Sequence, residues 1–190
     1  SASWTQWAGP NRNWVTSEPA GTWPPPKLWQ KTYTNSDSSP IIVNGKVYFT
    51  CLDGSSTRVY CVNADTGTTV WTGTTPGGRY GRFYNGDENQ YYGPLPTPAC
   101  DGTYLFTLSV DGDLQCWNAS TGAKGWSRNL YDDYGMGQRP LTGGDVRDFG
   151  YTTSPMLHGS NIILEVGGSG NMVKEFKKSD GSMVSSWGSG

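Results

Sequence analysis

Two segments of the chain concentrate the side chains that could do chemistry. The first, roughly residues 75–94, carries Arg79, Arg82, Tyr84, Asp87, Glu88, Tyr91 and Tyr92; the second, roughly 130–150, carries Tyr131, Asp132, Asp133, Tyr134, Arg139, Asp145, Arg147 and Asp148. A guanidinium presents a planar fork of donors that matches a carboxylate or phosphate bidentately. A phenol offers a flat apolar face with a polar tip. Arg79, Arg82, Tyr84, Tyr91, Tyr92, Tyr134, Arg139 and Arg147 are therefore the candidate binding residues, suited to a polar ligand, a sugar ring or a protein surface. The plainer reading pairs these arginines with carboxylates of the adjacent loop, so that they only pin the surface. Asp132, Asp133, Asp145 and Asp148 are hard oxygen donors of the kind calcium takes, but their run lacks the spacing of a calcium loop, and no metal site is assigned.

The other reactive groups are scattered. Cys51, Cys61, Cys100 and Cys116 form an even set, compatible with disulfides in an oxidising compartment. Cys51 and Cys61 are expected to face each other across a hairpin and are the expected disulfide pair. Zinc is disfavoured, because no close Cys pair or Cys/His cluster has ligand spacing and the single histidine, His158, occupies a turn position held elsewhere by Asn44 and Asp101. Asn118-Ala119-Ser120 is a glycosylation sequon that matters only in a eukaryotic secretory pathway.

The elements that position these groups come from a repeat. Apolar runs interrupted by a polar turn recur around Gly45, Gly102 and Gly159, at a spacing of 57 residues. A second marker follows each turn and ends on Trp71, Trp126 and Trp187: VYCVNADTGTTVW (59–71), LQCWNASTGAKGW (114–126) and VKEFKKSDGSMVSSW (173–187). Self-similarity at this period indicates blades, solenoid turns or arrays. Short runs of Val, Ile, Tyr, Phe and Thr alternate with Asn-Gly, Asp-Gly and Ser-Gly turns, which indicates antiparallel strands. In the first unit they fall at 40–43, 46–51, 58–63 and about 69–74, the four strands of one propeller blade.

Ala64-Asp65-Thr66-Gly67 with Trp71, and Ala119-Ser120-Thr121-Gly122 with Trp126, resemble the tryptophan-docking motif of the pyrroloquinoline-quinone (PQQ) repeat, with Ser179-Asp180-Gly181 and Trp187 as a looser third copy. Residues Trp4 to Arg12 are similar to the opening segment of many exported bacterial PQQ-like repeat proteins. The resemblance implies an all-β chain, a β-propeller segment of about three four-stranded antiparallel blades, incomplete as a ring. It divides the chain into an extended segment at 1–26 and three PQQ-like repeats over 27–190, with blades at roughly 34–74, 94–129 and 150–190. In this reading Gly67, Trp71, Gly122, Trp126, Gly181 and Trp187 are structural: the glycines turn at positive φ and the tryptophans pack between blades. It also implies that the face bearing the two long loops is the one that carries the ligand.

Propellers close with four to eight blades, so three leave faces and edges to be covered. Lys27–Tyr33 reads as an outer strand of a neighbouring blade, and both ends look like cuts through a longer ring. The expected partners are remaining blades of the same protein, further copies of the chain, or another chain, with a glycan as a further candidate. The resemblance brings PQQ and calcium as family cofactors, but the family's adjacent cysteine pair is absent, and its metal-binding and catalytic residues find no matching motif. The expected role is a noncatalytic exported binding or assembly module acting through blade edges and two long loops. The alternatives are part of a PQQ- and calcium-dependent dehydrogenase, or a carbohydrate-binding or carbohydrate-active propeller.

Composition agrees with export. The 190 residues include 27 Gly, 9 Trp and 11 Tyr but only 16% charged residues, a turn-rich pattern with a large aromatic payload. A net charge of −2 supplies no basic field for nucleic acid. No apolar run approaches the length of a membrane-spanning helix. Secreted, periplasmic or cell-surface placement is expected.

Overall fold

The computed structural model describes residues 3–19, 21–22, 24–76, 93–135 and 150–188. Three four-stranded antiparallel sheets follow one another along the chain, each with its strands in sequence order. Blade 1 contains β1 (Ile41–Val43), β2 (Lys46–Asp53), β3 (Ser56–Asn63) and β4 (Thr69–Thr75). Blade 2 contains β5 (Ala99–Cys100), β6 (Tyr104–Leu108), β7 (Asp113–Asn118) and β8 (Lys124–Asn129), and is followed by a one-turn helix, α1 (Leu130–Tyr134). Blade 3 contains β9 (Met156–His158), β10 (Asn161–Glu165), β11 (Val173–Lys177) and β12 (Met183–Trp187). The chain is an all-β propeller segment, and the described residues do not close a ring.

Local chemistry explains the hairpins. Asn44 and Gly45 join β1 to β2 with φ of 50° and 72°, the paired left-handed residues of a tight turn whose twist matches that of the strands. In all three blades the third and fourth strands slip register near one place, between Cys61 and Val62, Gln115 and Trp117, and Glu175 and Phe176. Such bulges sharpen the local twist and bend the outer strand. Asn129 caps α1 by accepting from the N–H groups of Tyr131 and Asp132, and Gly135 ends it at φ 64°.

The core lies between blades. Tyr48, Cys61 and Trp71 of blade 1 pack on Cys100, Leu105 and Trp117 of blade 2. Phe106, Leu114 and Cys116 of blade 2, with Leu130 and Tyr134 of α1, pack on Ile162, Leu164 and Phe176 of blade 3. Each sheet thus stabilises its neighbour.

The N-terminal segment ties the inner strands together. Trp4 exchanges backbone bonds with Ile42 of β1 at 2.6 and 2.9 Å, and the Thr5 carbonyl accepts from Cys100 N of β5 at 2.8 Å. On blade 3 the Gln6 Oε1 accepts from Leu157 N of β9 at 2.8 Å, and Arg12 Nη1 donates to Leu157 O at 3.0 Å. One short segment therefore occupies polar groups on the inner strands of all three blades, which would otherwise be open edges.

The expected Cys51–Cys61 disulfide is not formed, and all four cysteines are free and buried. The β2–β3 register pairs Cys51 with Arg58 and Cys61 with Tyr48. Cys51 and Tyr48 are an odd number of residues apart on one strand, so Cys51 and Cys61 point to opposite faces of the sheet.

Candidate functional site

The repeat motif builds a socket between successive blades. Its floor is a tight turn: Gly67 N donates to Asn63 O, Gly122 N to Asn118 O and Gly181 N to Lys177 O, at 2.8, 2.9 and 3.0 Å. The turn glycines sit at φ 68°, 73° and 71°, where a side chain would be strained. An indole from the preceding segment lies flat on each one. A Cβ would fall 2.7 Å from Trp29 at Gly67, 2.5 Å from Trp71 at Gly122 and 2.5 Å from Trp126 at Gly181. Each indole Nε1 also donates to the carbonyl three residues before its glycine: Trp29 to Ala64 at 2.7 Å, Trp71 to Ala119 at 3.0 Å and Trp126 to Lys178 at 2.7 Å. Apolar contact and a satisfied N–H together orient each indole.

Trp29 is the member of this set that the repeat pattern did not announce. It lies in the 27–33 segment, which forms no strand among the described residues. Its docking on Gly67 nevertheless supplies blade 1 with the tryptophan that blades 2 and 3 receive from β4 and β8.

The face of blade 3 turned away from blade 2 breaks the pattern. Across blade 1, register aligns Tyr48, Cys61 and Trp71; across blade 3, it aligns Ile163, Glu175 and Ser185. A serine therefore stands where Trp71 stands, and Trp187 is two residues further along, opposite Val173. Glu175 is held on both sides, accepting from Ser185 Oγ at 2.7 Å and Asn161 Nδ2 at 2.8 Å. Those bonds, that of Ser185 first, hold its carboxyl below the ordinary carboxylate range. Along the outer strand β12, Val184 and Trp187 are 47% and 43% exposed, while Met183, 48% exposed, pairs with Phe176 and reaches back to Tyr134 on the side of blade 2. The surface combines an apolar edge, an exposed indole and a fixed carboxylate.

Several other polar groups hold blades 2 and 3 together. Lys178 Nζ of blade 3 meets Asp101 of blade 2 at 2.9 Å. Burial works to raise the Asp101 carboxyl, but the N–H groups of Tyr104 and Thr103 and the Lys178 ammonium outweigh it and hold it below its usual value. Arg128 pairs with Asp133 at 2.7 Å and reaches the Gly181 carbonyl at 2.8 Å. Burial pushes the Cys116 thiol up to about 12 and that of Cys100 up to about 11, so both remain protonated and weakly nucleophilic at neutral pH.

Of the candidate loop residues, Arg79, Arg82, Tyr84, Tyr91, Tyr92, Arg139 and Arg147 lie outside the described residues. Tyr134 is placed in the core between blades 2 and 3, with its Oη 3.7 Å from Met183 Sδ and its ring 4.3 Å from the Lys174 ammonium. Lys174 is a buried cation that the sequence reading missed. It donates to the carbonyls of Gly167 and Asn171, and burial lowers its pKa. Among the described residues no group of three or more His, Cys, Asp or Glu side chains could hold a metal ion. No helix among them is long and apolar enough to cross a membrane.

Comparison with known proteins agrees with this architecture. A quinohemoprotein alcohol dehydrogenase, ADHIIG, from Pseudomonas putida HK5 superimposes with a TM-score of 0.51 at 18% identity, over 82% of this chain and 21% of its own. The quinohemoprotein alcohol dehydrogenase of Comamonas testosteroni gives 0.51 at 19% identity, over 79% and 20%. A europium-containing methanol dehydrogenase gives 0.51 at 14% identity, over 80% and 24%. The chain thus spans about a fifth to a quarter of these structures, and at such identities the likeness is one of fold. No curated protein matches the chain. A family model described as outer membrane protein assembly factor BamB matches residues 55–181, from the start of β3 to the third socket glycine. By that match and by its repeated tryptophan sockets, the chain belongs to the PQQ-like β-propeller repeat family that this model describes.

Proposed function

We propose that the chain is a noncatalytic, exported binding and assembly module that engages a protein partner through the outer edge of blade 3. The observation that carries this reading is the exposed Trp187 on β12, on the same face as the fixed carboxylate of Glu175, with Val184 and Met183 exposed along the same strand edge. Tryptophan and methionine are enriched at the cores of protein interfaces, and an outer strand offers backbone groups for strand addition. The displaced register of Trp187 favours a partner that differs from another socket-bearing blade, because Ser185 occupies the docking position. The matched family description, that of an assembly factor, favours a protein partner as well.

Photo-crosslinking tests the reading. Trp187→benzoylphenylalanine is placed in the exported protein, and crosslinked products are identified by mass spectrometry beside the same label at Thr72 on the outer strand of blade 1. A discrete protein adduct from position 187, absent from position 72, is the expected result. The absence of any adduct from position 187 would overturn it. Dye-linked alcohol oxidation after addition of PQQ and calcium would replace it with the dehydrogenase reading.

A further inference from the structure

The N-terminal segment forms a second surface, remote in character from the blade edge. Trp4, Trp7 and Trp14 gather there: the rings of Trp7 and Trp14 meet edge to face at 4.8 Å, and those of Trp4 and Trp14 lie 6.4 Å apart. Trp7 and Trp14 are 48% and 60% exposed, an unusual cost in apolar surface for residues with no core to fill. The segment that presents them is wound tightly. Ala8, Arg12 and Trp14 all stand at left-handed φ, 64°, 55° and 59°, without being glycine. Backbone strain of this kind persists where surrounding bonds impose it, and it clusters at ligand clamps. Here the bonds are Gly9 N to Gln6 O, Arg12 N to Gly9 O, Trp14 N to Ala8 O, and the Arg12 guanidinium to Leu157 O of blade 3.

A cavity of about 160 Å³ opens beside this cluster. Cavities near that size hold a single six-membered ring. Trp4, Val15 and Ile42 form its apolar wall, and Asn11, Thr16 and Ser17 its polar one. No ionised side chain lines it. The Thr16 hydroxyl accepts from Glu18 N, whereas the Asn11 carboxamide and the Ser17 hydroxyl have no hydrogen-bond partner among the described residues. The site therefore offers an aromatic wall, an amide and a free hydroxyl, with no charge to neutralise. A sugar ring has matching chemistry: its axial C–H groups pack on indole, and its hydroxyls exchange bonds with amides and hydroxyls.

We propose that the cleft between Trp4 and the Asn11–Ser17 turn binds one pyranose ring of a neutral oligosaccharide, with exposed Trp14 and Trp7 extending the platform for the adjoining residue. The proposal is independent of the blade-edge interaction and uses none of its residues. Calorimetry and saturation-transfer NMR on the full chain test it, with cellotetraose, maltotetraose and chitotetraose as probes and a proline decamer as the competing ligand type. Saturable binding of at least one oligosaccharide is expected. Asn11→Ala and Trp14→Ala should each weaken it about tenfold or more, the loss of one bonded or stacked partner. Both side chains are exposed, so circular dichroism should be unchanged, and Trp187→Ala should bind as the wild type does. Absence of saturable binding by all three sugars would overturn the proposal. So would binding unaffected by either cleft variant, or preferential binding of the proline peptide.

Discussion

Trp29 rests on Gly67 so closely that a Cβ there would fall 2.7 Å from the indole, the same relation that Trp71 has to Gly122. A residue outside any strand thus supplies an inter-blade contact that the repeat otherwise draws from an outer strand. The contact costs nothing in glycine form and a great deal in any other. Gly122→Ala and Gly67→Ala combine left-handed strain with overpacking, and each should cost roughly 2–4 kcal/mol. Gly45→Ala is the control, because Gly45 has a similar φ of 72° but no atom within 4 Å of the added methyl. It should lose only the strain, about 1 kcal/mol. Urea unfolding of the three variants measures the difference, and equal losses would mean that the indoles contribute no steric constraint.

The socket hydrogen bonds are not equivalent. The Ala119 carbonyl accepts from both Trp71 Nε1 and Tyr48 Oη, each at 3.0 Å. The Lys178 carbonyl has Trp126 Nε1 at 2.7 Å and otherwise only the weak Cys116 thiol donor at 3.9 Å. Trp126→Phe should therefore leave a carbonyl poorly satisfied, costing about 1–3 kcal/mol beyond the lost ring area, whereas Trp71→Phe leaves Ala119 with its tyrosine partner. Both Phe variants remove the indole N–H and a similar ring area, so the difference between their losses reports how well each carbonyl is left satisfied. The loss should be larger at 126.

The parts of this architecture that were legible in the sequence are those fixed by short-range chemistry. Asn44-Gly45 and the Gly67 and Gly122 turns announced the hairpins, because positive φ leaves a residue signature, whereas the glycine that each tryptophan meets, Trp71 on Gly122 and Trp126 on Gly181, is set by the packing of successive blades. The extra residues between Gly181 and Trp187 marked the third copy as loose, but only the register showed Ser185 in the docking position. The Cys51–Cys61 expectation failed on register too: the Gly54-Ser55 loop pairs Asp53 with Ser56, and counting back from it sets Cys51 against Arg58. The path of residues 3–14 across three inner strands carries no period and follows from tertiary bonds alone. Lys174 was illegible for a related reason, since its partners are backbone carbonyls that every residue possesses.

The Asp101–Lys178 pair joins the β5–β6 turn to the third socket, 2.9 Å apart. Because the Asp101 carboxyl is held below its ordinary value of 3.8, its stabilising contribution is complete above that value and is lost as pH falls through the lower, folded one. Glu175 and Asp180 are lowered as well, so the wild-type curve alone would not isolate Asp101. Asp101→Asn removes one titration and leaves the others. The stability difference between wild type and Asp101→Asn should be constant from neutral pH to about 5 and shrink in more acidic solution. A difference that stays flat into acid would place the pair's contribution in packing instead of charge.

Lys174 tests the opposite sign. Its ammonium is buried against the Tyr134 ring and bonded to two carbonyls, with burial lowering its pKa from the ordinary 10.5. A lysine that binds its proton more weakly when folded opposes folding while charged, and the protein regains stability as pH rises from the folded pKa toward the unfolded one. Lys174→Met keeps a long apolar stem and removes the titration, at the cost of leaving the Gly167 and Asn171 carbonyls without their donor. Tyr134, whose ring faces the ammonium and whose own pKa burial raises, is replaced by Phe in both proteins so that its titration does not enter the comparison. In that background the stability of the protein that keeps Lys174 relative to Lys174→Met should therefore increase as pH climbs from neutral toward 10.5, as measured by urea unfolding. A pH-independent difference would show that water reaches the ammonium and that the carbonyl bonds alone account for the site.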